Sequence, residues 1–388
     1  MEESVSTNKM LRTEEVKDRI SDLPDSLLLH ILSFLPAKEA VATSLLSKRW
    51  RPLWPYLPTL DLRRQDFERL TFFQKFADNM LKFADLKSVK KFVLWFGSDK
   101  PCEYVRPRTI SKWINVVIGY KIEYLELHLK PYNGDYELPS GIFTSNSVKV
   151  LNLSTGSFWW TSGVTVGTLS HVNLPLLEAL HLENVKFLDF RSLGMLLSSC
   201  PLLKHLVVKI LHLASYCPLD IGRLKHLVTA EVPQSLLPLE VLSNAAFLCF
   251  RWHNFSQINP DIPTFHNLIR LEFEYYSHDW KTILKYLQSC PKLEILVIDQ
   301  FACSESLEPT IIDVPQCVSS TLKEFHLGSY RGKNCEFELA RFIMKNALVL
   351  RIISVSRDFC SRVTWKNKIL KKISSCPMSS VNCRLLLK

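Results

Sequence analysis

The stretch LLEALHLENVKFLDFRSLGMLLSSCPLLKHLVV, residues 176–208, carries the same phrase near both ends. The phrase is apolar, two variable residues, apolar, one variable residue, apolar: LEALHL at 177–182 and LKHLVV at 203–208. Its alternating part describes a short strand with leucines facing a core and the interleaved residues facing out. Between the copies, DFRSLGMLLSSCP (189–201) reads as a helical or turn stretch that a proline stops. Strand, connection and strand make one unit of a stacked array.

Working outward, the phrase recurs as IEYLEL (122–127), VKVLNL (148–153), LIRLEF (268–273), LEILVI (293–298) and LKEFHL (322–327). Weaker copies are VKKFVL (89–94), LKHLVT (224–229) and AFLCF (246–250). Their fourth positions fall at 92, 125, 151, 180, 206, 227, 248, 271, 296 and 325, steps of 21 to 33 residues. Most steps match the period of about 20–29 expected for leucine-rich repeats. The expected fold is α/β, a solenoid. The Asn that follows the strand in a strict repeat is not kept in register (Asn184 is displaced by one place), so the horseshoe should be irregular.

Composition bounds the alternatives. A chain of 388 residues with 47% hydrophobic and 22% charged residues is globular, and long enough for a small domain and a repeat array. The first 18 residues are polar and contain no secretory signal; residues 1–17 read as a disordered tail. The longest uncharged stretch, Val150–Leu177, is too rich in Ser, Thr, Gly and Asn to span a bilayer. A soluble intracellular protein without a membrane partner is expected. Eleven dispersed cysteines include no CxxC, which fits thiols in a reducing compartment and no zinc site. Cys200, Cys217, Cys290 and Cys376 each precede Pro and read as turn or core packers. The net charge of +10 resides in Arg331–Lys388, with 13 Lys/Arg against 3 Asp/Glu. Trp365 is the only tryptophan of this segment, which has no tyrosine, so a solvated basic surface is favoured over nucleic-acid binding.

No constellation for catalysis emerges. GSYRGK (328–333) is one residue short of a phosphate loop, and Asn334 stands where Ser or Thr is needed. GxSxG and HExxH are missing. His128, His181, His205 and His326 lie inside repeats and read as structural. The sequons at Asn152 and Asn254 carry no meaning without a secretory route. No enzyme, metal or cofactor is expected.

The segment Asp18–Pro58 is different: DRISDLPDSLLLHILSFLPAKEAVATSLLSKRWRPLWPYLP. Pro24 and Asp25 suit a helix start, and Pro36 ends it. Leu27, Leu28, Leu29, Ile31, Leu32, Phe34 and Leu35 cover nearly the whole helix surface. A second helix is expected over about Ala37–Leu46 and a third over Ser47–Trp54. Forty residues bury little by themselves, so the surplus apolar face needs a partner.

LPDSLLLHILSFLP and AVATSLLSKRWRPLW resemble the F-box, in the version found in plant proteins with leucine-rich repeats and a C-terminal FBD region. LLEALHLENVKFLD and LLSSCPLLKHLVV are similar to the repeats of those proteins. TLKEFHLGSYRGKNCEFELARFIMKNALVLRIISV and ILKKISSCPMSSVNCRLLL resemble the FBD region. The resemblance implies a three-helix F-box at 18–58, leucine-rich repeats at 59–314, and an FBD region at 315–388 continuing the array. It implies docking on a Skp-type adaptor held by a cullin–RING ligase, through Leu23, Pro24, Leu28, Ile31, Leu32, Leu35 and Pro36. Val41, Leu45, Ser47, Arg49 and Trp50 would complete or brace the contact. The implied role is the substrate-recognition subunit of an SCF-type ubiquitin ligase in nucleus or cytoplasm. A non-catalytic scaffold or a hormone co-receptor with an unknown small-molecule co-ligand is the alternative.

A solenoid offers its interleaved strand residues as a concave surface. By the alternation it includes Glu126, His128, Asn152, Ser154, His181, Glu183, Val207, Lys209, Glu272, Glu274, Val297, Asp299 and His326. A protein substrate is expected there. The acidic bias of Glu272, Glu274 and Asp299 fits a basic segment, and Phe158–Trp159–Trp160 is a candidate anchor.

Overall fold

The computed structural model describes residues 19–20, 22–97, 106–130, 134–156, 163–213, 221–233, 236–251, 261–274, 280–299, 313–357, 372–373 and 375–387. The tail 1–17, the Phe158–Trp159–Trp160 cluster, Cys217, Asn254 and Trp365 lie outside the described residues.

The chain opens with α1 (Asp25–Leu32) and α2 (Ala37–Ala42), and a 3-10 turn at Thr43–Leu45 extends the latter. Pro24 precedes α1 with extended backbone, and Asp25 stands in the first turn. After Leu32 the backbone tightens, Phe34 and Leu35 bonding back to Ile31 and Leu32, before Pro36. The third helix expected over Ser47–Trp54 does not form. Lys48–Leu53 pass through successive turns, and a 3-10 turn spans Trp54–Tyr56. Pro52 and Pro55 explain this: each lacks an N–H, so neither can donate the backbone bond that a continuous α-helix through this stretch would need. Leu28, Leu32, Ala40, Leu53 and Leu57 form a small core of their own, with Leu23, Leu29, Leu35, Trp50 and Trp54 packed against it.

From Thr59 onward the chain builds a sheet. In chain order the strands are β1 (Thr59–Arg63), β2 (Lys91–Phe96), β3 (Tyr124–Leu129), β4 (Tyr136–Glu137), β5 (Val150–Thr155), β6 (Val164–Val166), β7 (Ala179–Phe187) and β8 (His205–Leu213). They continue as β9 (Thr229–Pro233), β10 (Phe247–Arg251), β11 (Arg270–Phe273), β12 (Ile295–Ile298), β13 (Glu324–Tyr330), β14 (Ile352–Arg357) and β15 (Arg384–Leu387). Among the described residues all pair in parallel and almost strictly in sequence; only β4 and β6 leave the main path, β6 beside β7 and β4 beside β6.

Register is what makes this a solenoid. Leu60, Phe92, Leu125, Leu151, Leu180, Leu206, Ala230, Leu248, Leu271, Leu296, Phe325, Ile353 and Leu385 are successive partners across the sheet. All but Leu385 are buried in one continuous core. The phrase thus marks a single row of side chains. One copy was misplaced in the sequence reading. LKHLVT puts the row at Leu227, but β9 begins three residues after the expected Leu-containing strand and Ala230 takes the position. The strands β1, β14 and β15 were not flagged, although LPTLDL (57–62) and LRIISV (350–355) fit the phrase, with Leu60 and Ile353 at its fourth position.

Parallel strands need crossovers. Helices α3 (Leu70–Phe83), α4 (Pro107–Ile118), α5 (Phe190–Ser198), α6 (Trp280–Gln288), α7 (Gln316–Ser320) and α8 (Asn334–Asn346) supply several. In α3, Phe73, Ala77 and Met80 fall at helical spacing and are buried; in α4, Ile110, Trp113, Ile114 and Val117 are. Asp189 caps α5 by accepting from the backbone N–H (2.6 Å) and hydroxyl (2.9 Å) of Ser192. Cys200 and Cys290, which follow α5 and α6, are fully buried as expected of packers. Cys335, by contrast, is disulfide-bonded, which departs from the all-thiol expectation.

The turn before α8 rests on one buried carboxylate. Glu336 is fully buried and accepts from the backbone N–H of Lys333 (2.9 Å) and Arg331 (3.1 Å), with Gly332 at φ +82° between them. Burial raises its pKa, and the hydrogen bonds only partly oppose this. Glu336→Ala should cost about 3 kcal/mol in urea unfolding, because buried donors lose their acceptor. The raised value also fixes a sign. The stability that Glu336 contributes is full below the ordinary carboxylate value of 4.5 and declines as pH rises through the raised one. Glu336→Gln should abolish that slope.

Candidate functional site

Two surfaces carry more than the fold requires. The first is the outer side of α1. Leu28 and Leu32, expected at the adaptor contact, are fully buried in the chain and hold the helix down, so they present no surface of their own here. Leu27, Ile31 and Phe34, spaced four and three residues apart, are 47%, 42% and 74% exposed. Leu45 and Leu46, in the turn after α2, are 84% and 73% exposed. Leu27, Phe34 and Leu46 were not among the expected contacts, although the helical period from Ile31 points to the first two.

The remaining expected contacts have mixed places. Pro24 and Ser47 are exposed; Leu23, Leu35, Pro36, Val41 and Trp50 are half-buried. Arg49 is a brace. Its guanidinium donates to the Leu23 carbonyl and to Asp25 Oδ1 (3.1 Å), pinning the turn-rich return onto the start of α1. Val41 packs against the repeat core, which also buries Ala37.

The second surface is the sheet face opposite the leucine row. Asp61, Val93, Glu126, Asn152, His181, Val207, Glu231, Cys249, Glu272, Val297, His326 and Ser354 are successive register partners on it. Over β1 to β5 its polar groups join in one network. Arg63 forks onto Asp61 (2.9 and 3.0 Å) and lies over the Trp95 ring at 5.0 Å. The Trp95 indole N–H donates to Glu126 Oε1 (2.7 Å), and the Tyr124 hydroxyl donates to Oε2 (2.7 Å). Asn152 Nδ2 donates to Tyr124 (2.9 Å). Trp95 stacks on His128 at 4.5 Å, and His128 Nδ1 meets Ser154 Oγ at 2.7 Å. Burial pushes the Glu126 carboxyl up, but the Tyr124 and Trp95 hydrogen bonds, with Lys91 and Arg63 nearby, outweigh it and hold it below the ordinary value.

A second cluster spans β9 to β11. Arg251 bridges Glu274, at 2.9 Å to both oxygens, and Glu231, at 2.8 Å. Arg270 pairs with Glu272. The acidic bias expected from Glu272 and Glu274 is therefore largely cancelled within the sheet. Cys249 lies buried beside this cluster with its thiol pushed up to about 12 by burial, which leaves it without thiolate reactivity. Farther along, His326 meets Glu324 at 3.0 Å, and Asp299 stands next to Gly328.

The structure thus brings Glu126, His128, Asn152 and Ser154 together, sets His181 beside Glu183 (3.4 Å) in the next strand, and places Glu272 and Glu274 in the other cluster. Sequence reading missed Asp61, Arg63, Trp95, Tyr124, Glu231 and Arg251. Tyr124 was within reach of the alternation, two places before Glu126. Asp61 and Glu231 went with the unflagged and misplaced strands.

Burial holds the pKa of His128 and of His181 below the ordinary 6.5. Both are neutral in the fold, so the unfolded chain binds more protons between the lowered value and 6.5. Their contribution is complete above 6.5 and is lost as pH falls through the lowered values. Melting temperature should drop between pH 7 and pH 5, and His128→Gln with His181→Gln should flatten part of that drop.

Comparison with known proteins adds the family. The F-box domain model matches residues 20–60, the At1g61320/AtMIF1 LRR domain model matches 81–253, and the FBD model matches 311–355. None of the three describes a catalytic domain. Among curated relatives, F-box/LRR-repeat protein 13 of Arabidopsis thaliana is 25% identical, the alignment covering 100% of both chains. F-box/FBD/LRR-repeat protein At1g78750 of the same plant is 25% identical over 95% of this chain and 96% of its own. F-box/FBD/LRR-repeat protein At5g56420 is 28% identical over 95% and 99%. With its three regions in that order and relatives matched end to end, the chain carries F-box, leucine-rich-repeat and FBD regions and is similar over its whole length to Arabidopsis F-box/FBD/LRR-repeat proteins.

Proposed function

We propose that this chain is the substrate-recognition subunit of an SCF-type cullin–RING ubiquitin ligase. The F-box, as residues 18–58, docks a Skp-type adaptor, and the repeats from residue 59, continued by the FBD region from 315, hold a protein substrate on the polar sheet face. The observation that carries the reading is the apolar row Leu27, Ile31 and Phe34 on a subdomain whose own core is already complete without them. An F-box domain implies adaptor binding, and exposed leucines of this size favour a covered state. The chain contributes placement: it raises the effective concentration of substrate lysines at the ligase and supplies no chemistry. This reading expects the chain in the nucleus, the cytoplasm or both.

The test is capture of the full chain from plant cells with proteasome activity blocked. Recovery of adaptor and cullin together with a ubiquitinated protein that accumulates when the chain is lost is the expected outcome. Recovery of the adaptor with no such protein would favour a scaffold. Failure to recover the adaptor would end the proposal.

A further inference from the structure

Apart from both surfaces, an open cavity of about 650 Å³ lies where α4 ends and the turns feeding β3 and β5 meet. Its charge is lopsided. Lys90, Lys121 and Lys149 line it against the single carboxylate of Glu123. Lys149 and Lys90 share that carboxylate at 2.8 and 3.3 Å, and their hydrogen bonds hold it below its ordinary pKa. Lys121 has no acidic partner among the described residues. The C-terminal end of α4 forms part of the wall and contributes roughly half a negative charge. The lining remains positive.

Among its side chains, Lys121 and Asn146 offer N–H donors with no partner among the described residues. The amide oxygen of Asn146 accepts from Asn173 Nδ2 (2.8 Å), which fixes the amide and leaves its NH₂ without a protein partner. The Thr144 and Ser147 hydroxyls are spent on the carbonyls of Gly141 (3.2 Å) and Ile122 (2.7 Å). The Tyr120 hydroxyl, which can donate or accept, and the Lys121 ammonium also line the cavity. Free donors with excess positive charge match a ligand that only accepts and carries negative charge.

We propose that this cavity binds a phosphate group, with Lys121, Asn146 and Tyr120 as its direct donors and Lys90 and Lys149 as flanking charges. The phosphate could be carried by a protein side chain or by a small molecule. The cavity needs no adaptor, so this binding and adaptor capture succeed or fail separately.

The full chain is titrated calorimetrically with inorganic pyrophosphate, a phosphoserine peptide and the same peptide unphosphorylated. Wild type is compared with Lys121→Glu and Asn146→Leu. Both phosphate probes should bind, more weakly as salt rises, and the unphosphorylated peptide at least tenfold less tightly. Lys121→Glu should weaken both by tenfold or more. Melting curves without ligand show whether each variant is folded, and Lys121→Gln replaces any that is not. A peptide tighter than pyrophosphate assigns the phosphate to a protein segment; the reverse order assigns it to a small molecule. No heat from either probe, or equal binding by folded variants, overturns the site.

Discussion

Replacing Leu27, Ile31 and Phe34 together by alanine should weaken capture of a Skp-type adaptor at least about a hundredfold while leaving the melting curve in place. Each of these side chains presents 42% to 74% of its surface to water. Burying such residues against a partner is worth about 1.5–3 kcal/mol apiece, and a hundredfold is about 2.7 kcal/mol. Their removal touches neither the small core nor the Arg49 brace. Leu28→Ala or Leu32→Ala should behave in the opposite way. Both are fully buried beside Ala40, Leu53 and Leu57, so truncation should cost about 2–5 kcal/mol locally and weaken capture through unfolding. Amide hydrogen exchange over the first two helices in the full chain, read with binding, separates the two. Equal binding by wild type and the Leu27/Ile31/Phe34 variant would place the adaptor contact elsewhere.

The second large effect lies mid-array. Leu180 is 1% exposed, registered between Leu151 and Leu206. Leu180→Ala should cost about 3 kcal/mol, a large part of the margin of a natural domain. In a stacked array each unit contacts chiefly its neighbours, so the loss should appear as faster amide exchange over β5, β7 and β8, with β12 and β13 little changed. Glu183→Gln, three residues on and facing away from the core, should shift stability by about 0.5 kcal/mol or less. Uniform loss of protection along the whole sheet would contradict a nearest-neighbour solenoid.

The row of core positions was legible because one apolar residue recurs at each turn. Leu125, Leu151, Leu180, Leu271 and Leu296 were placed by period alone. The row slipped at Ala230, where a small residue follows two leucines that match the phrase equally well. The helical reading of Ser47–Trp54 failed because the apolar pattern persists through Pro52 and Pro55, whose backbone constraint dominates. On the outward face, position could be read but pairing could not. Arg251 neutralises Glu231 and Glu274 on strands 20 and 23 residues away, one in each direction, and no local pattern announces such a bridge. Trp95 was hidden for the same reason, because its partners Arg63, Glu126 and His128 come from two other strands.

Ala37 belongs to the repeat core although it begins α2, and Lys38 reaches Phe67 at 4.9 Å from the same helix. The first helices are thereby packed onto the edge of the sheet, so the F-box and the array share one joint. Strands in a sheet advance by about 4.8 Å each. From β3 to β12 there are seven steps along the sheet, or about 34 Å of arc. With the two packed together at that joint, the strand on which a partner sits sets how far that partner stands from whatever grips α1. The array then acts as a ruler, and two partners of equal affinity held at different rungs would present different lysines to the same reaction centre.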